Sequence, residues 1–189
     1  MKKLVLIAAM ALVSVAAFAQ KFAHVNFQEL VYLMPEMDAA RETMNAAQQE
    51  ASETFQVMVD EYNSKLSQYQ QKASTWTAAI LESKQKELAD IEQRIQEFQQ
   101  SIQLELQEKE QNLMTPIQQK AQQTVAALAK EGGYIYVFDI NTALYVDENQ
   151  STDLTRAARR ALNIPEDRTL ESLAIRLQQR RGEGVLCGV

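Results

Sequence analysis

All five glycines of this 189-residue chain lie at or beyond Gly132, and between Glu36 and Glu131 the only strong helix breaker is Pro116. A stretch that long without glycine, rich in Gln, Glu, Ala, Lys and Leu, has the composition of extended helix. Its apolar residues carry the matching period. Met37, Ala40, Met44, Ala47, Ala51, Phe55, Met58, Tyr62, Leu66 and Tyr69 follow one another at spacings of three or four, which places them on one helix face. A second stripe runs through Leu88, Ile91, Ile95, Phe98, Ile102, Leu106, Leu113, Ile117, Thr124 and Leu128. Between the stripes, Ala73-Ser74-Thr75-Trp76-Thr77-Ala78-Ala79 weakens helix propensity with β-branched and hydroxyl residues. The pattern predicts a long antiparallel α-helical hairpin over residues 36–131 with its tip near 73–83, a coiled-coil arm roughly 60 Å long at 1.5 Å per residue. One unbroken helix satisfies the same periodicity. Pro116 cannot donate to the carbonyl of Asn112 and its ring crowds that turn, so the returning helix is expected to kink there.

Strand-forming segments flank the arm. Lys21 to Phe27 (KFAHVNF) precedes it and Tyr134 to Ile140 (YIYVFDI) follows it, both rich in β-branched and aromatic residues, with Gly132-Gly133 suited to ending the helix between. Asn141-Thr142-Ala143 reads as a turn into a third strand, Ala143 to Val146. Asp153 to Leu162 reads as a short helix capped by Ser151 or Thr152. After Pro165, apolar residues at Leu170, Leu173, Ile175 and Leu177 predict a last helix from Thr169 to Arg181, followed by a glycine-rich tail. The fold class is therefore α+β. Residues 20–35 and 132–164 form a small β-sheet body, the arm is inserted at 36–131, and 165–189 add a C-terminal helix and tail. A body of roughly 75 residues is marginal on its own, and open strand edges invite a second copy. A homo-oligomer held at the body is expected, through Phe22, Val25, Ile135, Val137, Leu144 and Val146.

The chain begins with Lys2 and Lys3, an apolar run from Leu4 to Ala16, and Ala17-Phe18-Ala19, the pattern of a secretory signal peptide cleaved after Ala19. The apolar run falls short of the ~20 residues that a spanning helix needs. Cleavage takes the 19 basic residues to 17 against 25 acidic ones, a net charge of −8. That sign disfavours nucleic acid, which needs clustered cations to displace counterions. The single cysteine, Cys187, allows no internal disulfide. Catalytic chemistry is poorly supplied: His24 is the only histidine and falls in a strand segment, Cys187 has no histidine near it in sequence, and Gly132-Gly133 lacks phosphate-loop spacing. No enzyme activity, metal or cofactor is expected.

The Lys21-Phe22-Ala23-His24-Val25-Asn26 strand, the long Gln-rich hairpin, Thr115-Pro116-Ile117, and the run from Leu128 through Gly132-Gly133 to Tyr134-Ile135-Tyr136-Val137-Phe138-Asp139 together resemble the Skp/OmpH family of periplasmic chaperones. The resemblance covers about Gln20 to Ile164. It implies a trimer in which the strands build a shared barrel-like body and three hairpins surround a cavity that holds unfolded outer-membrane proteins. It also implies a periplasmic address. The best-known relatives are strongly basic, whereas this chain is acidic, and its tail from Pro165 to Val189 runs beyond the expected end of the family.

A holdase must offer apolar surface without closing over it, which favours flexible methionines and amphipathic aromatics. Met44, Phe55, Met58, Tyr62, Tyr69, Trp76 and Ile80 are the client-binding candidates, although the first three suit the packing stripe of a two-helix coil better than client contact. Trp76, at the expected turn, favours a contact role. Lys65, Lys72, Lys84 and Lys86 face only Glu82 and Glu87 in their stretch, so the arm tip reads as basic and suited to anionic membrane surfaces or acidic client loops. The alternative function is a structural or tethering coiled coil of the cell envelope that recognises a folded partner.

Overall fold

A computed structural model describes residues 20–186. The expected leader over 1–19 and Cys187 lie outside the described residues. In the described part, no helix is long and apolar enough to cross a membrane. The chain divides into two compact units, one of Glu36–Pro116 and one built from the segments before and after it.

In the discontinuous unit, β1 (Lys21–Val25) leads into helix α1 (Phe27–Leu33). The strand stops at Val25 and does not reach Phe27, because Asn26 caps the helix: its side-chain oxygen accepts from the Glu29 amide at 3.0 Å and its amide nitrogen donates to Glu29 Oε2 at 3.1 Å. The Asn26 backbone N–H is left for the Thr155 hydroxyl oxygen, which accepts from it at 2.9 Å. After the arm, Gly132 closes a helix and Gly133, at φ 68°, takes the left-handed conformation that turns the chain into β2 (Tyr134–Asp139).

The sheet has three strands in the order β2-β1-β3, with β1 parallel to both neighbours and Phe22 opposite Tyr136 on one side and Ser151 on the other. Parallel pairing demands a long crossover between strands. Between β1 and β2 the whole arm supplies it; between β2 and β3, residues 140–150 do. This corrects the expected third strand. Ala143–Val146 is not a strand; β3 is Ser151–Asp153. A strand beginning three residues after β2 has room only to fold back antiparallel beside it, whereas the chain crosses to the far side of β1. Leu144 and Val146 therefore lie in the connection, and Leu144 is fully exposed. Ser151 and Thr152, expected as helix caps, are strand residues. The short helix α4 (Thr155–Ala161) has its first amide bonded to Asp153 Oδ1 at 2.8 Å instead.

The last helix, α5 (Leu170–Leu186), opens on a Thr169–Ser172 pair in which each side chain accepts from the other's amide, at 3.1 and 2.9 Å. It continues past Arg181, where the sequence predicted a tail. Both α4 and α5 pack on α1. Leu30, Leu33, Met34 and Leu162 are almost wholly buried, with Ala158, Ile164 and Leu173 around them. Burial of each large side chain here contributes about 1.5–3 kcal/mol, so residues 163–173 belong to this core.

The other unit carries α2 (Pro35–Lys72), a 3-10 turn (Ala73–Thr75), and the first part of α3 (Ala78–Gly132). Proline suits the first position of α2, where its missing N–H has no helical partner. Helix α2 stops at Lys72, where the Thr75 hydroxyl caps the Lys72 carbonyl at 2.8 Å, and α3 restarts from the Thr77 carbonyl. Bonds between the helices join Glu61 to Arg94, Tyr62 to Glu92, Lys65 to Glu87 and Tyr69 to Gln85. Residue numbers rise on α2 as they fall on α3. Helix α3 runs unbroken through the exposed Pro116.

Candidate functional site

The half of the arm nearest the turn is fastened by polar contacts. Lys65 and Lys84 both donate to Glu87, the latter at 2.6 Å, and these two hydrogen bonds hold the Glu87 carboxyl down at about 2. The same bond raises the Lys65 ammonium above its usual value. Tyr62 donates to Glu92, and that bond raises the phenol, because ionisation would place an anion beside a carboxylate. Arg94 reaches both oxygens of Glu61 at 3.2 Å. Tyr69 accepts from Gln85 at 2.8 Å and packs edge-on to Trp76, ring centres 5.9 Å apart at 62°.

These contacts place the sequence candidates. Tyr62 and Tyr69 hold the two helices together, and Trp76 is half-buried against Tyr69 rather than standing free at the turn. Ile80 is exposed, at 43%. Of the four lysines, Lys65 and Lys84 share one carboxylate, while Lys72 and Lys86 are exposed and carry no ion pair among the described residues.

Beyond Glu61 and Arg94 the character of the seam changes. Met44, Ala51, Phe55 and Met58 on α2, and Ile95, Phe98, Ile102, Leu106 and Leu113 on α3, are all half-buried. Within the unit only Met37, Ala40, Ala47 and Ile91 reach full burial among the described apolar residues. A tight two-stranded coil would seat such a/d side chains in closed holes. Here a stripe of flexible and aromatic side chains keeps part of its surface in water.

A second apolar surface lies on the sheet. Strand β2 is an edge, and Ile135, Tyr136 and Phe138 are 48%, 60% and 52% exposed, on both of its faces. Phe22 stacks on Tyr136 at 6.4 Å, and Tyr136 on Phe138 at 5.9 Å. On the opposite face, Val25, Phe27, Val125 and Val137 line an open groove of about 360 Å³. His24 is buried and its Nδ1 lies 2.8 Å from Ser151 Oγ, so it joins two strands. No group of three or more His, Cys, Asp or Glu among the described residues is placed to hold a metal.

The model of the family described as outer membrane protein (OmpH-like) matches residues 21–162, from β1 through α4. The chain belongs to the OmpH-like family. That family is one of periplasmic chaperones of outer-membrane proteins and not of enzymes. No curated protein matches the chain. In this OmpH-like chain the family match stops at Leu162, yet the structure ties the segment from Asn163 to Arg168 into the body. Arg159 donates to Glu29 at 2.9 Å and to the carbonyls of Pro165 at 3.0 Å, Glu166 and Arg168. Sequence reasoning missed Arg159, since its partners are distant in sequence or are backbone carbonyls that no motif marks. Asn26 falls within the expected first strand, and its role as the cap of α1, accepting from the Glu29 amide, was missed.

Proposed function

We propose that this chain is an ATP-independent holdase that binds unfolded outer-membrane β-barrel proteins in the periplasm and keeps them from aggregating. The observation that carries the reading is the half-buried stripe of the arm. Met44, Phe55 and Met58 on α2, with Ile95, Phe98 and Ile102 on α3, offer apolar contact that is neither sealed in a core nor exposed enough to drive self-association. Such contacts are individually weak and tolerant of sequence. Affinity then comes from repetition: in a homotrimer, three hairpin arms engage one client at high effective concentration. The open edge of β2 supports assembly at the body. The leader directs export and is then cleaved after Ala19. Lys72 and Lys86, the tip lysines without ion pairs among the described residues, are the residues for contact with an anionic membrane surface, and release comes from folding of the client.

A tethering coil differs in what it binds, since it recognises a folded surface. Mature protein is mixed with a urea-denatured outer-membrane barrel, the urea is diluted, and light scattering is followed. Suppressed aggregation near stoichiometric trimer supports the holdase; unsuppressed aggregation at several-fold molar excess removes it.

A further inference from the structure

The net charge of the arm is concentrated along its half-buried stripe. Residues 42–61 of α2 and 94–113 of α3, the stretches that flank the seam beyond Glu61 and Arg94, hold nine acidic residues and two basic ones, a net charge of −7. The rest of 36–131 carries seven of each sign and is neutral. On α2 the bias is complete, since Glu42, Glu50, Glu53, Asp60 and Glu61 have no basic residue among them. Solubility asks a helix face for charge but not for charge of one sign, and elsewhere this arm mixes the two.

All nine acidic residues are exposed. Arg94 compensates Glu61. Glu53, Asp60 and Glu97 instead accept from Gln49, Gln56 and Gln93, one helical turn earlier, at 2.9, 2.9 and 2.7 Å. An amide donor orients a carboxylate and leaves its charge intact. Glu50, Glu105, Glu108 and Glu110 carry no ion pair among the described residues. Val57 and Leu104, 67% and 68% exposed, are the most exposed large apolar side chains described in the arm, and both lie within these stretches. The same surface therefore joins apolar contact to a one-signed field. The carboxylates are strung along the helices, and among the described residues no three are gathered to hold a metal ion.

We infer that the stripe takes unfolded segments in which Lys and Arg are interspersed among apolar residues, and disfavours acidic segments of equal hydropathy. This rests on the holdase proposed above and names the class of client that its arm accepts. Methionine and aromatic contacts tolerate many sequences, so the sign of the charge between them becomes the discriminating variable. Each stretch spans about 30 Å of helix, the length of roughly nine residues of extended client. The Debye length at physiological ionic strength is about 8 Å, so a chain lying on the stripe feels several carboxylates at once. Cationic side chains are attracted along its whole length while their apolar neighbours enter the seam; anionic side chains meet repulsion at the same places.

Binding of two unfolded peptides to the full mature protein, followed by fluorescence anisotropy, tests this. Each is about 20 residues long, twice the span of the stripe, and the two differ only in carrying Lys or Glu at the same positions among the same apolar residues. The Lys peptide is expected to bind about tenfold more tightly or better at low salt, with an advantage that shrinks as salt is raised. Glu50→Gln, Glu105→Gln, Glu108→Gln and Glu110→Gln, made together, remove four of the nine carboxylates, and glutamine matches glutamate in helix propensity. The far-UV circular dichroism of this variant is expected to be unchanged while the advantage of the Lys peptide falls about threefold or more. Equal affinity for the two peptides, a preference for the Glu peptide, or an advantage that survives intact in the variant overturns the charge selection and leaves the holdase standing. Failure of both peptides to bind at any salt concentration overturns the stripe as a polypeptide site, and the holdase reading with it.

Discussion

Replacing Arg159 by alanine tests whether the C-terminal segment is a working part of the body. The guanidinium and the Glu29 carboxylate are 2.9 Å apart, with side chains only 16% and 22% exposed. Nη2 also serves the Pro165 carbonyl at 3.0 Å and that of Arg168, with the Glu166 carbonyl more distant at 3.5 Å. Hydrogen bonds to charged groups contribute about 1.5–3 kcal/mol each, and breaking a fully buried pair costs about 3–5 kcal/mol. Glu29 keeps its bond from Asn26 and gains some water in the variant, so the expected loss is about 2–4 kcal/mol. Tryptophan fluorescence is the wrong probe, because Trp76 lies in the arm. Amide exchange at Leu30 and Met34, whose N–H groups bond to the Asn26 and Leu30 carbonyls at 3.1 Å, reports on α1 directly. At 1.4 kcal/mol per decade, these amides are expected to exchange about 30- to 1,000-fold faster. Arg156→Ala is the control: its ion pair with Glu166 is 3.4 Å long and 77% and 70% exposed, so its expected effect is below about 1 kcal/mol. Equal exchange in the two variants would refute the reasoning.

The clasp at Glu87 has a defined pH window. A carboxyl lowered from 4.5 to about 2 by Lys65 and Lys84 adds stability above pH 4.5 that is lost as pH falls through about 2, while the raised Lys65 contribution holds below 10.5 and is lost as pH rises through its folded value. A carboxyl-carbon NMR titration should give a Glu87 midpoint well below 4.5; a midpoint at 4.5 contradicts the clasp. Gly133→Ala places a Cβ at φ 68° and is expected to cost about 1–2 kcal/mol in urea unfolding of the body; an unchanged midpoint would mean the turn relaxes freely. Pro116→Ala restores a donor for the Asn112 carbonyl, stabilising α3 by up to about 3 kcal/mol. If Pro116 serves as a hinge, spin-label distances between arm tip and body should narrow in that variant, and an unchanged spread removes the hinge.

The helices were legible because their signals are local. Spacings of three and four mark the stripes, missing glycine marks their length, and hydroxyl residues mark the turn at 73–79. The family was legible from the same features in order. The connection after β2 was not, because β propensity measures fit to a surface supplied by other strands. Leu-Tyr-Val scores as strand without that surface, while Ser151-Thr152-Asp153 becomes one through backbone pairing with Phe22, Ala23 and His24. At the site, the stripe residues were identified but their use was not. Tyr62, Tyr69 and Lys65 act as fasteners because of the register between helices, which fixes Glu92, Gln85 and Glu87 opposite them and which neither stripe specifies alone. Lys84 and Glu87, three apart on one helix, were pairable from spacing.

The central claim is that unfolded polypeptide lies along the half-buried stripe of the arm. Photo-crosslinking tests it most directly, with benzoylphenylalanine placed at Phe55 in the stripe or at the exposed Glu53 and with denatured or folded outer-membrane barrel as the target. The account predicts strong crosslinks from position 55 to the denatured barrel, few from position 53, and none from either to the folded barrel. Equal labelling from both positions, or crosslinks from position 55 to the folded barrel, would contradict it.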